Sequence, residues 1–312
     1  MREKKSFAIR TKVLASDEVR KKYFLVFEGE NTEKIYFEAL SSHRNEIGIS
    51  PIIDIVHLVR SYSEQGWSNP QKILKRVLSN LDESATGVIT YETLLNFIME
   101  YFYDEEILTS SRKDAQNMWA TLRLICQDKL KKDMSDKVDD LQVVCMKVAE
   151  YFAKATDIKN IVRDVPKIIK KRAITYDENL DKICFIIDRD GKSFVPLQYA
   201  YVLNSCRKNG FGFYLSNPSF EMWLLMHFDE VFKLDKDLLL ENPKVTSERR
   251  YAEHELRKLL KGYDKSKYNT AALMELIDNA IENEKKFCED EEMLEKNIGS
   301  RVGVLVSEMR GA

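Results

Sequence analysis

The sequence contains few residues that interrupt helices, with 11 glycines and 6 prolines among 312 residues. We therefore expect helices to dominate. Long apolar runs are also missing. The stretch at residues 183–187 is far shorter than the roughly 20 residues that cross a bilayer, so no membrane-spanning helix is predicted. The charged N-terminus lacks the apolar segment of a secretory signal, and we expect a cytoplasmic protein without a membrane partner.

Cysteine is scarce and irregularly spaced. The five cysteines are odd in number and include no C-x-x-C pair, which argues against a disulfide framework or a thiolate zinc site and favours buried free thiols. Charge of one sign is not in excess, because the net charge is −2. Apolar residues (44 %) and charged residues (32 %) together indicate a globular protein. Residues 1–22 form a predicted basic arm, since residues 2–22 carry eight lysines or arginines against three acids.

Strand and helix patterns alternate near the start of the chain. Residues 23–27 are an apolar run of strand length, followed by Glu28, Gly29 and a helical pattern over 31–40. Asn31 or Thr32 can cap this helix, whose apolar face would be Tyr36, Phe37 and Leu40. A second strand at 52–56 and a second helix at 71–81 continue the alternation, which predicts a parallel sheet flanked by helices.

Between residues 82 and 180 the alternation stops. Apolar residues recur there at helical spacing, which predicts an all-helical insertion. Its charge is nearly balanced, with 15 basic and 18 acidic residues, so a docking or lid subdomain is favoured over a nucleic-acid-binding arm. The apolar positions that define these helices are Leu94, Leu95, Ile98, Phe102, Met118, Leu122, Ile125, Val143, Cys145, Val148 and Phe152.

The strand pattern resumes after the insertion. Residues 183–187 read as a fully buried strand, 197–206 as a helix, 211–215 as a short strand and 220–228 as an apolar helix. The chain thus has a core in two parts, 23–81 and 181–246. Residues 247–312 are predicted to be mostly helical, with a polar loop near 262–269.

Acidic residues follow the predicted strands. Glu28 follows the first strand, Asp188 and Asp190 follow a central one, and Glu33 lies about one helical turn beyond Glu28. The carboxyl ends of parallel strands meet at one edge of an open sheet, where ligands bind. Gathered carboxylates repel one another, and a hard divalent cation, Mg²⁺ or Mn²⁺, is the usual way to hold them. One or two such ions would imply phosphoryl-transfer chemistry.

Each of these features also has a structural interpretation. Glu28 could be a strand exit, Glu33 could complement the positive end of its helix, and Asp188–Asp190 could be a surface turn. His227 is expected to be a core histidine. The cations between residues 249 and 267 fit a phosphate-tracking face or a solvated helix surface. The residue pattern alone leaves these alternatives open.

Five separated segments, in this order, resemble the RloB-like proteins. They are YFLVFEGENTEKIYF (23–37), ICFIIDRD (183–190), LSNPSFEMWLLMHF (215–228), GYDKS (262–266) and the terminal LEKNIGSRVGVLVSEM. The third is the most specific. The terminal segment departs from the family's Asn-Pro-Ser-Thr form, reading Asn-Ile-Gly-Ser at 297–300, and residues 82–180 have no counterpart in compact relatives.

The resemblance implies a Toprim-like fold, the metal-binding α/β fold of topoisomerases, DnaG-type primases and OLD-family nucleases. Glu28 would be the Toprim glutamate, Asp188 with Asp190 the DxD pair, and Glu33 the second acid of the EGxTE form. Glu221 would complete the metal shell or orient a ligand. Lys265 would neutralise transition-state charge.

The implied function is a Mg²⁺- or Mn²⁺-dependent nuclease that cleaves DNA or RNA in antiphage, abortive-infection defence, often beside a partner ATPase. The alternative is a non-catalytic module that binds nucleic acid or a nucleotide and docks on that ATPase, because a fold does not fix a function. Nucleotidyl transfer would use the same ions, but no P-loop supports it.

Overall fold

A computed structural model of the chain describes residues 21–29, 31–51, 53–57, 70–71, 73–75, 77–78, 81, 89–104, 108, 112–152, 177–190 and 194–311. The described residues fall into two compact units. The first comprises those within 1–58, 69–71 and 177–312, and the second those within 59–68 and 72–176. The predicted basic arm lies outside the described residues, except that Lys21 and Lys22 belong to the first strand.

The first unit contains a five-stranded sheet with the order β2-β1-β3-β4-β5. The strands are β1 (Lys21–Phe27), β2 (Ile53–His57), β3 (Lys182–Asp188), β4 (Gly212–Asn217) and β5 (Gly299–Ser300). The first four run parallel. The two-residue β5 pairs antiparallel with β4. The predicted α/β class is therefore confirmed, but the expectation of a wholly parallel sheet is wrong at this edge.

Helices make up most of the remaining described chain, and the described residues between 70 and 81 are helical as well. In chain order the helices are α1 (Thr32–Ser42), α2 (Tyr91–Asp104), α3 (Arg112–Ile125), α4 (Leu141–Phe152), α5 (Pro196–Lys208), α6 (Phe220–Leu225), α7 (Lys236–Glu241), α8 (Tyr251–Leu259), α9 (Thr270–Glu275), α10 (Ile277–Glu284) and α11 (Val302–Gly311). No helix in the described part of the chain is long and apolar enough to cross a membrane.

The core of the first unit lies between the sheet and its helices. β3 is buried from residue 183 to 187, as expected for a central parallel strand covered on both faces. Tyr36, Phe37 and Leu40 of α1 are fully buried, which confirms the predicted apolar face of this helix. The Tyr36 ring packs edge-on against Phe220 at 5.6 Å and Trp223 at 6.2 Å, so α1 and α6 share one aromatic cluster.

The terminal helix is held by a buried carboxylate and a close backbone approach. Glu284 is fully buried and accepts the backbone N–H groups of Gly303 (2.7 Å) and Val304 (3.0 Å) at the start of α11. In β5, a Cβ atom at Gly299 would stand 2.0 Å from the carbonyl oxygen of Cys288. Only glycine allows this contact. The departure of residues 297–300 from the family's usual form therefore falls on the edge of the sheet.

The second unit has its own helical core. Its described residues form α2, α3, α4 and a π-helical turn at Cys126–Leu130, together with an isolated bridge between Thr90 and Lys137. Most of the predicted core positions are buried. In α4, Cys145 and Val148 are buried as predicted, but Val143 is 39 % exposed and its neighbour Val144 is buried instead. Of the five cysteines, which are all free, only Cys288 is not buried.

His227 is a core residue, as the sequence predicted. It is fully buried, with Nδ1 3.1 Å from the carbonyl oxygen of Trp223 and Nε2 3.2 Å from the hydroxyl of Tyr36. Because a carbonyl can only accept, Nδ1 carries the proton and donates it, and Nε2 accepts from Tyr36. Burial lowers the pKa of His227 from 6.5 to about 4.

This burial predicts a loss of stability in acid. Between pH 6.5 and about 4 the unfolded chain protonates His227 while the folded protein resists, so stability is complete above pH 6.5 and declines as the pH falls through this window. The full effect is about 3 kcal/mol. We expect urea unfolding of wild type and His227→Asn to show a difference in free energy that shrinks from pH 7 to pH 4. A difference in unfolding free energy that stays constant from pH 7 to pH 4 would contradict the lowered pKa of His227.

Candidate functional site

Glu28 and Asp188 are brought together by strand pairing. β1 and β3 align so that Phe27 stands opposite Ile186. Beyond this pair, the N–H of Glu28 donates to the carbonyl of Ile186 (3.2 Å), and the N–H of Asp188 donates to Oε2 of Glu28 (3.2 Å). The two acids that the sequence placed at strand ends are therefore neighbours at one edge of the sheet.

Glu33 folds back towards the same edge from the first turn of α1. Its Oε1 accepts the N–H of Gly29 (3.0 Å). A Cβ atom at Gly29 would lie 2.0 Å from the Glu33 carboxylate, so glycine is required for the close approach of this side chain. The predicted side-chain capping of α1 is wrong. Asn31 at the cap position makes no such bond, and the Thr32 hydroxyl donates elsewhere.

The loop after β3 packs against the start of α6. Oδ1 of Asp188 accepts the N–H of Phe220 (2.8 Å), and the N–H of Asp190 donates to the carbonyl of Pro218 (3.2 Å). Arg189 between them is buried and donates to the carbonyls of Phe194 (2.5 Å) and Glu295 (3.0 Å). These contacts exclude a simple surface turn at 188–190.

Glu221, in the first turn of α6, is the centre of a polar network. Its Oε1 lies 3.0 Å from Nζ of Lys265 and accepts the hydroxyl of Tyr263 (3.2 Å). Its Oε2 accepts the hydroxyl of Ser219 (2.6 Å). The 262–269 loop thus delivers a cation and a hydroxyl to a carboxylate 42 residues or more earlier in the chain.

Thr32 ties that loop to α1. The Thr32 hydroxyl donates to the carbonyl of Lys265 (3.1 Å), and the hydroxyl of Tyr268 donates to the carbonyl of Thr32 (2.6 Å). Because Thr32 is the neighbour of Glu33, the same short segment positions one acid of the site and the backbone of its lysine.

The site is strongly negative and poorly exposed. Glu28, Glu33 and Glu221 are 6 %, 4 % and 3 % exposed, and Asp188 is partly buried. Burial raises the pKa of Asp188 well above 3.8, and the nearby Glu33, Glu28 and Glu221 raise it further while Lys265 opposes them.

The Glu221–Lys265 pair is balanced differently. Burial alone would raise the pKa of Glu221, but Lys265 and the Ser219 hydroxyl outweigh it, and the pKa falls below 4.5. Glu221 in turn raises the pKa of Lys265 to about 12. Both groups are therefore charged at neutral pH, and Glu221 has a cationic partner.

A cleft of about 360 Å³ opens beside these groups. Asp188, Asp190, Glu221 and Lys265 line it, together with Arg250, one of the cations for which the sequence left open a phosphate-tracking face. The other lining residues are Pro218, Ser219, Leu240, Glu241, Asn242 and Glu253.

The acidic residues are the candidate ligands for a metal ion at this site. Their chemistry fits a hard divalent cation, because they are oxygen donors and the charge around Asp188 is unbalanced. Their arrangement in the described part of the chain is not that of a formed metal site. Among the described residues, no group of three or more histidine, cysteine, aspartate or glutamate side chains is placed so that it could hold a metal ion. Glu28, Glu33 and Asp188 each accept a backbone N–H, and an ionised carboxylate has further lone pairs with which it can bind an ion at the same time.

The sequence therefore identified the acidic residues of the site but not the uncharged residues that position them. Tyr263, Ser219 and Thr32 have no charge, although Thr32 directly precedes Glu33 and Ser219 lies two residues before Glu221. All three lie within the segments that carry the family resemblance, and that position was the available signal. The side chains of Ser216 and Asn217 do not cap α6. The hydroxyl of Ser216 lies 3.1 Å from the hydroxyl of Ser300, and Asn217 donates to the carbonyl of Leu294 (2.7 Å).

Comparison with known protein families gives a match. The family model described as "RloB-like protein" matches residues 23–309, which is nearly the whole chain and includes every residue of the site described above. No curated protein and no solved structure matches the chain. The match confirms the resemblance drawn from the five sequence segments, and the chain belongs to the RloB-like protein family.

Proposed function

We propose that this protein is a Toprim-type, divalent-metal-dependent nuclease that cleaves phosphodiester bonds in DNA or RNA. The observation that carries the proposal is the clustering of Glu28, Glu33 and Glu221 around Asp188 at the carboxyl edge of parallel strands. This edge is where α/β folds bind ligands. A cluster of buried acids costs stability unless a cation balances it, so its presence indicates a function that uses the charge.

In this mechanism Glu28 and Asp188 would hold Mg²⁺ or Mn²⁺, with Asp190 completing the DxD pair from the cleft wall and Glu33 acting as a further ligand or as a base. The bound ion would polarise the scissile phosphate and lower the pKa of water. Phe220 and Gly29 would orient the acids through the backbone N–H bonds that they donate to Asp188 and Glu33.

Lys265 would stabilise the negative charge that develops on the phosphate in the transition state. Glu221 orients its ammonium group at 3.0 Å and keeps it protonated. Tyr263 and Ser219 occupy the remaining positions around the Glu221 carboxylate, which makes Glu221 a positioning residue in this scheme.

A non-catalytic binding module is the second candidate. The observation that favours it is the absence, among the described residues, of three side chains already arranged for a metal ion. The protein would then recognise nucleic acid or a nucleotide in the same cleft and dock on an ATPase. For either candidate function, the role in antiphage defence and the ATPase partner are proposed from the family resemblance.

Cleavage should depend on the aspartates and on metal. We expect wild type to cleave plasmid DNA, single-stranded DNA or tRNA in Mg²⁺ or Mn²⁺ but not in EDTA. In the double variant Asp188→Ala, Asp190→Ala the rate should fall by about 100-fold or more, as when one electrostatic group of an active site is removed. Gel analysis of the products measures both effects.

The matched control for this assay is Glu248→Ala, which removes an exposed acid outside the cleft and should cleave like wild type. Metal-dependent cleavage that survives in the double variant would refute the mechanism. Nucleic-acid binding without any cleavage, with or without the ATPase, would favour the binding module.

Asp188 should destabilise the metal-free protein. Because its folded pKa is raised, the folded state loses stability as the pH rises above about 4, where the unfolded side chain ionises. In EDTA at pH 7, Asp188→Asn should therefore unfold at a higher urea concentration than wild type, since the amide oxygen can still accept the Phe220 N–H. The gain should disappear near pH 4. A lower urea midpoint at pH 7 would contradict the proposed charge repulsion.

A further inference from the structure

The cleft contains two cations, Lys265 and Arg250, among its lining residues. Their surroundings differ. Lys265 is paired with Glu221 at 3.0 Å. Arg250 forms no ion pair with any residue in the described part of the chain, although five of the lining residues are acidic. Its Nη1 donates to the carbonyl of Asn242 (3.1 Å), which leaves most of the guanidinium without a protein acceptor.

Two neighbouring cationic side chains form ion pairs with glutamates. Arg249 lies 3.5 Å from Glu253, and Lys258 lies 2.6 Å from Glu255. Neither lines the cleft. The sequence left open whether the cations of this segment form a phosphate-tracking face or a solvated surface. The structure separates them, because Arg250 alone combines a position in the cleft with an unpaired charge among the described residues of that segment.

Arg250 is also held in place by its backbone. It precedes α8, and the N–H of Tyr251 donates to the carbonyl of Pro243 (2.9 Å). Asn242, whose carbonyl accepts from Arg250, is buried and accepts the N–H of Ala252 (3.0 Å) through its side chain. A guanidinium fixed in this way loses less conformational entropy when it binds a ligand.

We propose that Arg250 binds a phosphate group of the nucleic-acid strand in the cleft that Asp188 also lines. The ligand chemistry is the pair of non-bridging oxygens of a phosphodiester, to which the planar guanidinium fork donates two parallel hydrogen bonds. The acids of the cleft repel a polyanion, and an unpaired cation among them offsets this repulsion at one point. The inference rests on the proposed function, because it takes nucleic acid as the ligand.

The test is the affinity for a fluorescein-labelled 20-nucleotide single strand, as DNA and as RNA, measured by fluorescence anisotropy in Ca²⁺ at several salt concentrations. We expect Arg250→Gln to raise the Kd by roughly 10-fold, equivalent to about 1.4 kcal/mol. The slope of log Kd against log salt should fall by about 0.7, the value for one lost phosphate contact on a single strand. Arg250→Lys should lie between wild type and Arg250→Gln, because it keeps the charge and loses the fork.

The matched control is Lys261→Gln, which removes one exposed positive charge outside the cleft lining and should change the Kd less than about twofold. Thermal unfolding of each variant checks the fold, and Arg250→Lys carries the test if Arg250→Gln does not fold. Equal losses in Arg250→Gln and Lys261→Gln, or no loss in either, would overturn the proposal even where wild type cleaves nucleic acid. Wild type that does not bind either strand would overturn it as well, whereas the proposed function is judged separately by cleavage.

Discussion

The parallel pairing of β1 with β3 is the constraint on which the rest of the site depends. It sets Phe27 opposite Ile186, so that the carboxylate of Glu28, one residue beyond Phe27, accepts the backbone N–H of Asp188, two residues beyond Ile186. A slip of one residue would turn the side chains of either strand to the opposite face and separate these acids. Cys184 and Ile186 of β3 belong to the main hydrophobic core, and Ile183, Phe185 and Ile187 are buried as well.

The cost of this arrangement is electrostatic. Burial and the neighbouring acids raise the pKa of Asp188. The protein therefore holds a carboxyl group that resists ionisation at a position where the proposed mechanism needs an ionised carboxylate as a metal ligand. The rest of the site compensates locally. Glu221 is neutralised by Lys265, Glu33 and Asp188 each accept a backbone N–H, and Thr32 fixes the loop that carries the lysine. A divalent cation would relieve the remaining repulsion around Asp188.

Local patterns predicted the elements well. The apolar spacing of Tyr36, Phe37 and Leu40 identified the buried face of α1, and strand-end positions located Glu28 and Asp188. Features that depend on distant contacts were beyond the sequence. β5 has only two residues and joins the sheet through its antiparallel pairing with β4, which is distant in the sequence. Two partners of Glu221, Tyr263 and Lys265, lie more than 40 residues away, and the environment of Arg250 depends on lining residues from separate parts of the chain.

The central claim is that the acidic edge binds a divalent cation, and calorimetric titration of Mn²⁺ into the metal-free full chain tests it most directly. The account predicts saturable binding of one or two ions by wild type and by the control Glu248→Gln, and the loss of at least one ion in Glu28→Gln and in Asp188→Asn. Binding that is absent from wild type, or equal in all four proteins, would contradict it.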